Sequence, residues 1–420
     1  MSCRRREGRV LRVLLVSSQF PVPVRSGFTT RVHQLTRHLA RRHAVTLLSY
    51  VDDATSDFVG KMRDVVRVEP VEYEWPRGAR KRMAQATSAA SRTPFTCRLM
   101  YTDAMQRAID RLCATHKFDV VQLESSPLCA FRVPARPRLV IDEHNIEYEV
   151  LERMHRAERS LPRRLFNRVE AARFRSFERA CWSRVDGVAV TSEREEAIVR
   201  SSAPETPIAV VPNGVDLDYF RPGRSPPEAD TVVFNGALDY RPNLDAAMHL
   251  VEDIWPLVIA RRPDARLTII GRGDRAVSSR VCGRGVRYVG EVADVRPYLE
   301  RAAVVAVPIR MGGGTRLKVV EGLAMAKAMV ATPLGAEGVD VHAGEHLVLA
   351  DTAEEFAGAV LELFENRDLA ARLGAAARAR MERGYGWPLV VARLEELYER
   401  VLARGSSYGR ATKSHRAFRS

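Results

Sequence analysis

Residues 10–50, "VLRVLLVSSQFPVPVRSGFTTRVHQLTRHLARRHAVTLLSY", decide the fold of the first half of the chain. Two apolar runs, 10–18 and 44–50, flank an amphipathic run at 29–43. Apolar runs without polar alternation are typical of strands buried on both faces, as in parallel sheets covered by helices. Similar runs follow at 65–73, 118–124, 138–144 and 186–191. We therefore predict a doubly wound α/β domain over residues 1–210.

The same alternation resumes after a linker. Residues 204–230, "PETPIAVVPNGVDLDYFRPGRSPPEAD", are rich in proline and glycine, as turns and linkers are. Apolar runs then alternate with helical patterns, at 231–236, 265–271, 304–309 and 328–332. We predict a second Rossmann-like domain over 211–386, facing the first across a cleft at the carboxyl ends of the strands. The basic residues 405–420 are expected to be disordered.

The composition excludes several classes of protein. The 420 residues are 46% hydrophobic and 28% charged, which is ordinary for a soluble globular protein. No run approaches the ~20 apolar residues of a spanning helix, and the run around Leu14 is too short for a signal peptide. We therefore expect a cytoplasmic protein. The net charge of +14 permits anionic partners, but no nucleic-acid-binding signature accompanies it. The six cysteines lack the paired spacing of a zinc site or disulfide framework.

A glycine-rich segment, "MGGGTRLKVVEGLA" at 311–324, lies between a predicted strand and a predicted helix. Such a turn directs backbone N–H groups and the positive end of the helix at one point. Arg316 and Lys318 add two cations there, and Glu321 is placed to accept hydrogen bonds from a ribose diol. These residues predict a diphosphate site. Alternatively, the glycines only form a turn and Glu321, in the first helical turn, favours the helix dipole.

A second glycine motif, "IIGRGDRAV" at 269–277, is similar to a dinucleotide-binding fingerprint. Gly271, Gly273 and Ala276 would be its small residues, with Glu291 or Asp294 as the acid. We expect the residues between Gly273 and the next glycines, Gly283 and Gly285, to be too few for a crossover helix. We interpret the motif as a loop at the end of a strand.

Two segments of the first domain are candidates for ligand contact. The loop 17–35 ends at Gly27 before a helix, where a ligand could approach the backbone, although Thr29 or Thr30 could simply cap that helix. The segment "IDEHNIEYEVLERM" at 141–154 ends a predicted strand with Asp142, Glu143, His144 and Asn145, where polar groups face the ligand crevice. We expect His144 to bind a substrate hydroxyl. Because no second His or Cys accompanies it, we predict no metal.

Residues 152–184 carry ten arginines and four glutamates, interleaved with large apolar residues. Such a helix can lie on an anionic membrane surface. The interpretation we favour is that its apolar residues, Leu161, Leu165, Phe166, Phe174, Phe177 and Trp182, pack on the sheet while the arginines stay in water. Peripheral membrane contact is the alternative.

Several segments resemble, in order, the bacterial retaining glycosyltransferases of family four, which have the GT-B fold. They are the loop that ends at Gly27, "DEHNIEYEVLERM" (142–154), "PNGVD" (212–216), "FNGALDYRPNLDAAMHL" (234–250) and the glycine-rich segment 311–324. The resemblance implies a nucleotide-sugar donor held mainly by the second domain and a hydroxyl acceptor held mainly by the first. It implies metal-independent chemistry and no cofactor beyond the nucleotide sugar. It also implies that a final helix, 387–404, crosses back to the first domain.

The sequence departs from the family motif at two places. Gly313 occupies the position of the first of two glutamates, of which Glu321 is the second. Ala237 stands where an arginine is expected, and Arg241 lies near a lysine position. Within the subset that shares the GGGTR-K loop, the resemblance therefore implies that Arg316 and Lys318 neutralise the diphosphate, with Arg241 as a helper. The expected catalytic residues are Arg316, Lys318 and His144. The expected donor-binding residues are Gly27, Asn235, Gly236, Arg241, Gly312, Gly313, Gly314, Thr315, Leu317 and Glu321.

The function predicted from these residues is retaining transfer of a sugar from a nucleotide sugar to a hydroxyl acceptor, in polysaccharide, glycolipid or natural-product glycoside biosynthesis. The acceptor would be a lipid-linked saccharide or a small molecule, at the inner face of the cell membrane or in the cytoplasm. Two alternatives are a nicotinamide-dependent dehydrogenase, which would use Gly271 and Gly273, and a non-catalytic protein that binds a membrane surface.

Overall fold

The computed structural model describes residues 9–404 except 77, 79–82, 86, 87, 89, 90 and 159. The expected disorder of 405–420 concerns residues outside this range. The described residues form two compact units. The first comprises those up to Val211 together with those from Val391 onward, and the second is Pro212–Val390.

The first unit is built on a seven-stranded parallel sheet with the strand order β3-β2-β1-β4-β5-β6-β7. In chain order the strands are β1 (Arg12–Ser17), β2 (Ala44–Val51), β3 (Arg67–Glu72), β4 (Val120–Glu124), β5 (Arg138–Asp142), β6 (Gly187–Val190) and β7 (Ile208–Val210). The order reverses beside β1, which pairs with β2 on one side and β4 on the other. All four residues of β6, GVAV, are buried, which confirms the prediction from continuous apolar runs.

Helices connect these strands. They are α1 (Gly27–Leu39), α2 (Val59–Arg63), α3 (Phe95–Met100), α4 (Asp103–Thr115), α5 (Glu147–Ala157), α6 (Leu161–Trp182) and α7 (Glu193–Ser202). Short 3-10 turns occupy Ser56–Phe58 and Ser126–Ala130. The side chains of Thr102 and Ser192 cap α4 and α7 by accepting hydrogen bonds from backbone N–H groups of the first turn.

The second unit contains a six-stranded parallel sheet with the order β10-β9-β8-β11-β12-β13. Its strands are β8 (Thr231–Asn235), β9 (Arg266–Ile270), β10 (Val286–Gly290), β11 (Val304–Val307), β12 (Ala328–Ala331) and β13 (Val348–Leu349). Its helices are α8 (Arg241–His249), α9 (Trp255–Arg261), α10 (Arg275–Arg280), α11 (Arg296–Arg301), α12 (Leu317–Ala324), α13 (Ala353–Glu365) and α14 (Arg367–Gly384).

Two details of the second unit differ from expectation. The helical pattern between the apolar runs 231–236 and 265–271 predicts one helix, over 242–262, but a π-helical turn, Leu250–Ile254, separates α8 from α9. The segment judged too short for a crossover helix does hold one, because the six residues of α10 connect β9 to β10. Asp274 caps α10 by accepting a hydrogen bond from the N–H of Val277. Because this cap starts the helix directly after the glycine motif, a helix of six residues fits between the two strands.

The last helix, α15 (Trp387–Ala403), begins in the second unit and continues in the first. In the first unit, the Tyr398 hydroxyl donates to Gln122 on β4 at 2.5 Å. Glu395 forms ion pairs with Arg42 and His43. Among the described residues, no helix has both the length and the apolar character needed to cross a membrane.

Candidate active site

The glycine-rich loop follows β11 and leads into α12, as the sequence predicts. Gly312 and Gly314 have φ angles of 101° and 73°, which L-residues with a side chain rarely adopt. Arg316 precedes the first residue of α12, and its Nη1 donates to the carbonyl oxygens of Gly313 and Gly314. The guanidinium is therefore folded back over the loop.

Lys318 lies on the first turn of α12 and is partly buried. Its ammonium donates to Oδ1 of Asn243 at 2.9 Å and lies 4.5 Å from the ring centre of Phe234. Burial, with the nearby charge of Arg316, lowers the pKa of Lys318 to about 7, although Glu321 opposes the shift. An ammonium in this position lacks a full counter-charge, and an anionic ligand could supply one.

The space that Lys318 occupies depends on Gly236. A Cβ atom at Gly236 would lie 2.5 Å from the Lys318 ammonium nitrogen and 2.9 Å from Cγ of Asn243. Asn243 also donates from Nδ2 to the carbonyl of Ala237 at 3.0 Å. Gly236 and Asn243 together position Lys318. The sequence prediction included Gly236 but missed Asn243, whose only signal was its place in the "RPN" that opens α8.

Glu321 is not in the first turn of its helix, so that part of the prediction is wrong. Because α12 begins at Leu317, Glu321 is its fifth residue and lies three positions after Lys318, on a neighbouring part of the surface. Burial raises the pKa of Glu321 to about 7, and Lys318 counteracts the shift. A simple helix-dipole role therefore does not explain this acid.

The remaining donor-binding candidates of the second unit differ in their surroundings. Leu317 packs against the hydrophobic core. Thr315 is buried, and its carbonyl accepts from Nδ2 of Asn213 at 3.3 Å. Arg241 is the exposed first residue of α8, two positions before Asn243. Asn235 ends β8, and its buried Oδ1 has no hydrogen-bond partner in the described part of the chain, so it could accept from a ligand.

The second glycine motif has a structural explanation. Gly271 has a φ of 150°, and a Cβ there would lie 1.8 Å from the carbonyl oxygen of Gly236. The N–H of Leu238 donates to the carbonyl of Arg272 at 2.7 Å, and Arg272 pairs with Asp239 at 2.6 Å. This loop supports the loop that holds Gly236. The glycine is needed for that backbone approach, and no dinucleotide need be invoked.

The first unit contains a buried charged cluster at the carboxyl ends of β4 and β5. Asp142 accepts two hydrogen bonds from Arg31, at 2.8 Å from Nε and 2.6 Å from Nη2. Arg31 and Asp142 are 1% and 0% exposed, so this pair is shielded from water. Arg31 and His144 hold the pKa of Asp142 well below its usual range, against the effect of burial. The prediction missed Arg31, whose only signal in the sequence is that it shares a face of α1 with Leu35 and Leu39.

His144 is connected to this cluster through Nε2. Its Nε2 lies 2.9 Å from Oε2 of Glu124 and 3.5 Å from Oδ2 of Asp142. Although burial acts in the opposite direction, these carboxylates raise the pKa of His144 to about 9. The imidazole is therefore charged at neutral pH. Its Nδ1 makes no hydrogen bond to any residue that the structure describes.

A chain of hydrogen bonds fixes Glu124 behind His144. Gln122 donates from Nε2 to Oε1 of Glu124 at 2.8 Å, and the Tyr398 hydroxyl donates to Oε1 of Gln122. Glu124, Asp142 and His144 offer ligand atoms within 4.8 Å of one another. Both oxygens of Asp142 already accept from Arg31, so a cation there would face a buried guanidinium. The two carboxylates are therefore better neutralised by Arg31 and a protonated His144 than by a metal ion.

Gly27 is brought to this cluster by α1. The helix is capped by Ser26, which corrects the expectation that Thr29 or Thr30 would be the cap. Thr29 instead completes a reciprocal capping box with Ser26. The ring of Phe28, next to Gly27, lies 4.5 Å from the ring of His144. The structure therefore places Gly27 and His144, both predicted site residues, near one another.

Glu143, between Asp142 and His144, has a structural role. It accepts from the indole Nε1 of Trp182 at 2.7 Å and from the N–H of Ser126 at 3.1 Å. Burial raises its pKa to about 8. Alternate residues after β5 thus face in opposite directions, and His144 belongs to the charged cluster while Glu143 does not.

Two family models match the chain. Residues 25–219 match Glycosyltransferase Family 4, and residues 229–366 match Glycosyl transferases group 1. A phosphatidyl-myo-inositol mannosyltransferase of Mycobacterium tuberculosis is 32% identical over 212 residues, 47% of this chain and 55% of that protein. A GDP-mannose-dependent monoacylated alpha-(1-6)-phosphatidylinositol monomannoside mannosyltransferase of Corynebacterium glutamicum is 26% identical over 45% of this chain and 55% of that protein. The chain spans about half the length of these relatives.

Solved structures show the same fold. Sucrose-phosphate synthase from Thermosynechococcus elongatus has a TM-score of 0.71 at 18% identity, over 94% of this chain and 99% of that one. The Anabaena protein Alr3699/HepE in complex with UDP-glucose has a TM-score of 0.61 at 14% identity, over 94% of this chain and 100% of that one. The predicted fold, two Rossmann-like α/β domains of the GT-B class, is confirmed.

Proposed function

We propose that this chain transfers a sugar from a nucleotide sugar to a hydroxyl acceptor with retention of anomeric configuration. The matches of residues 25–219 to Glycosyltransferase Family 4 and of residues 229–366 to Glycosyl transferases group 1 support the proposal. The reaction uses no metal ion and no cofactor beyond the nucleotide sugar. The observation that carries the proposal is the partly buried ammonium of Lys318, held by Asn243 beside Arg316 and the glycine-rich loop.

The diphosphate of the donor is the ligand that this arrangement suits. Arg316 and Lys318 provide two cations, and the glycine-rich loop before α12 provides backbone N–H groups. A diphosphate beside Lys318 would restore the charge that burial disfavours, and Arg241 would assist at the rim. Asn235, Gly236, Gly312, Gly313, Gly314, Thr315 and Leu317 would shape the donor pocket, with Glu321 accepting hydrogen bonds from the ribose diol.

The same cations serve the chemical step. As the bond to the anomeric carbon breaks, negative charge grows on the departing diphosphate, and preorganised cations stabilise it. The acceptor hydroxyl arrives on the face that the diphosphate leaves, which gives retention. The leaving diphosphate can take up the acceptor proton, so no separate base is required.

His144 has a narrower role than the sequence alone suggested. A histidine whose pKa is about 9 is protonated at neutral pH, so it donates a hydrogen bond and is a poor proton acceptor. We propose that its Nδ1–H binds a hydroxyl of the transferred sugar, near the backbone of Gly27. Arg31 and Asp142 hold the cluster rigid.

The acceptor and the donor sugar are proposed from the names of relatives. Both named relatives are mannosyltransferases, and their names identify phosphatidylinositol-type lipids as acceptors. GDP-mannose is therefore the first donor to test and UDP-glucose the second. A lipid-linked saccharide or glycolipid precursor is the acceptor we favour, with the protein acting at the inner face of the cell membrane.

The decisive experiment is single-turnover sugar transfer by Arg316→Ala and Lys318→Ala. Removing one such stabilising group costs ~10²–10³ in turnover. Arg287→Ala, which removes an exposed arginine of β10, is the matched control and should keep the wild-type rate. Wild-type rates in both site variants would refute the assignment of the diphosphate site.

Two further measurements test the finer parts of the proposal. Nuclear magnetic resonance of the product gives the anomeric configuration, and an inverted linkage would rule out retention. Transfer that stops in a chelator and returns with added divalent cation would contradict metal-independent chemistry.

A further inference from the structure

Helix α6 divides into two halves with different surroundings. In its second half Phe174, Phe177 and Trp182 are buried in the first unit, as expected for an apolar face that packs on the sheet. In its first half Leu161 is 75% exposed and Leu165 is 63% exposed. The expectation that all six apolar residues are packed is wrong for Leu161 and Leu165, whereas Phe166 is half-buried against the ring of Phe95.

The exposed apolar residues form one continuous strip. Leu161, Leu165 and Val169 are four positions apart, so they share one face of the helix. Val169 is 40% exposed. The buried residues Asn167, Glu170, Ala171 and Phe174 lie on the opposite side of α6.

Arginines flank this strip without acidic partners. Arg164 and Arg168 lie beside it at helical spacing, and Arg163 and Arg156 lie nearby on α6 and α5. Within the described ranges, none of these four guanidinium groups has an ion pair. Charges left unneutralised on one face attract an anionic partner.

A recess beside the strip is also basic. It has a volume of about 370 Å³ and lies between α5 and α6. Arg156, Arg168 and Arg175 line it, together with His155. Glu152 pairs with Arg175 and offsets one of these charges. Arg156 and Arg168 remain to contact an anionic headgroup.

We propose that this surface, comprising Leu161, Leu165 and Val169 with Arg156, Arg164 and Arg168, docks the protein on an anionic lipid membrane. The apolar strip enters the region between headgroups and acyl chains while the arginines contact lipid phosphates. A second copy of the chain fits poorly, because Glu152, the acidic side chain that lines the recess, is already paired with Arg175 and does not oppose the arginines of another copy. The proposal does not depend on the sugar-transfer chemistry.

The test is co-sedimentation of the full chain with phosphatidylcholine vesicles, with and without phosphatidylglycerol, in the absence of nucleotide. We expect binding only to the anionic vesicles. Arg164→Ser/Arg168→Ser should weaken that binding roughly 25-fold, since each arginine contributes about fivefold. Leu161→Ser/Leu165→Ser should weaken it at least about tenfold.

The matched control is Arg107→Ser/Arg136→Ser, which removes the same charge from exposed sites elsewhere in the first unit. This variant should bind like wild type. Equal losses in the control and the surface variants would mean that only net charge matters, and wild-type binding by the surface variants would also overturn the proposal. Thermal melting checks that every variant is folded. A dimer that Leu161→Ser/Leu165→Ser dissociates in analytical ultracentrifugation would assign the surface to a second copy instead.

Discussion

Binding of the donor should exchange protons with solvent, in a direction that reverses with pH. In the free protein the pKa values of Lys318 and Glu321 are both about 7. A diphosphate beside Lys318 favours its charged form and raises its pKa, whereas ribose hydroxyls that donate to Glu321 favour the carboxylate and lower its pKa. Lys318 therefore takes up a proton on binding, and Glu321 releases one.

The size of the exchange follows from those values. At pH 8 a lysine with a pKa near 7 is about one-tenth protonated and Glu321 is mostly ionised, so donor binding should take up about 0.8 protons. At pH 6 the populations are reversed, and binding should release about 0.8 protons. The affinity should consequently be highest near pH 7 and fall on both sides.

Isothermal titration calorimetry in pairs of buffers with different ionisation enthalpies measures this exchange directly. The probe is a nucleotide sugar, GDP-mannose or UDP-glucose, because the terminal phosphate of a free nucleoside diphosphate itself titrates near pH 6. Lys318→Arg keeps the charge without the titration, so uptake at pH 8 should vanish while release at pH 6 remains. Glu321→Gln should show the opposite pattern.

A binding enthalpy that is the same in all buffers at pH 6 and pH 8 would refute this reasoning. It would mean that the donor does not contact the Lys318 ammonium or the Glu321 carboxylate. Exchange that persists unchanged in both variants would place the titrating groups elsewhere.

Three other perturbations test the packing around the two sites. Gly236→Ala should displace the Lys318 ammonium and lower donor affinity at least about tenfold, as calorimetry measures. Its control, Gly358→Ala inside α13, has open space at the new Cβ and should keep the donor affinity. In urea unfolding this control should gain about 0.5–1 kcal/mol of stability. Lys318→Met should raise the melting temperature of the ligand-free protein. Because the folded pKa is depressed, the unfolded state binds more protons between pH 7 and about 10.5, so the gain should be larger at pH 7 than at pH 10. Asp142→Asn should lower the free energy of unfolding in urea by about 3–5 kcal/mol, because it removes the charge that the buried Arg31 pairs with. A loss below about 1 kcal/mol would show that water reaches the pair.

The strands and the glycine-rich loop could be predicted from sequence because local chemistry decides them. Strands such as β11 are buried on both faces and therefore appear as uninterrupted apolar runs. Gly312 and Gly314 signal a loop because only glycine readily takes their φ angles. The two cationic residues Arg316 and Lys318 also lie within that one segment, so the sequence alone determined that both follow the glycine-rich loop.

Only the tertiary structure decided which distant residues complete each site. The contact between Lys318 and Asn243 joins positions 75 apart, and that between Arg31 and Asp142 joins positions 111 apart. Helical periodicity shows which residues share a face, but the neighbouring elements determine what covers it. Leu161 is therefore exposed while Trp182, on the same helix, is buried. Burial by distant segments also sets the pKa of Lys318, which spacing along the chain does not encode.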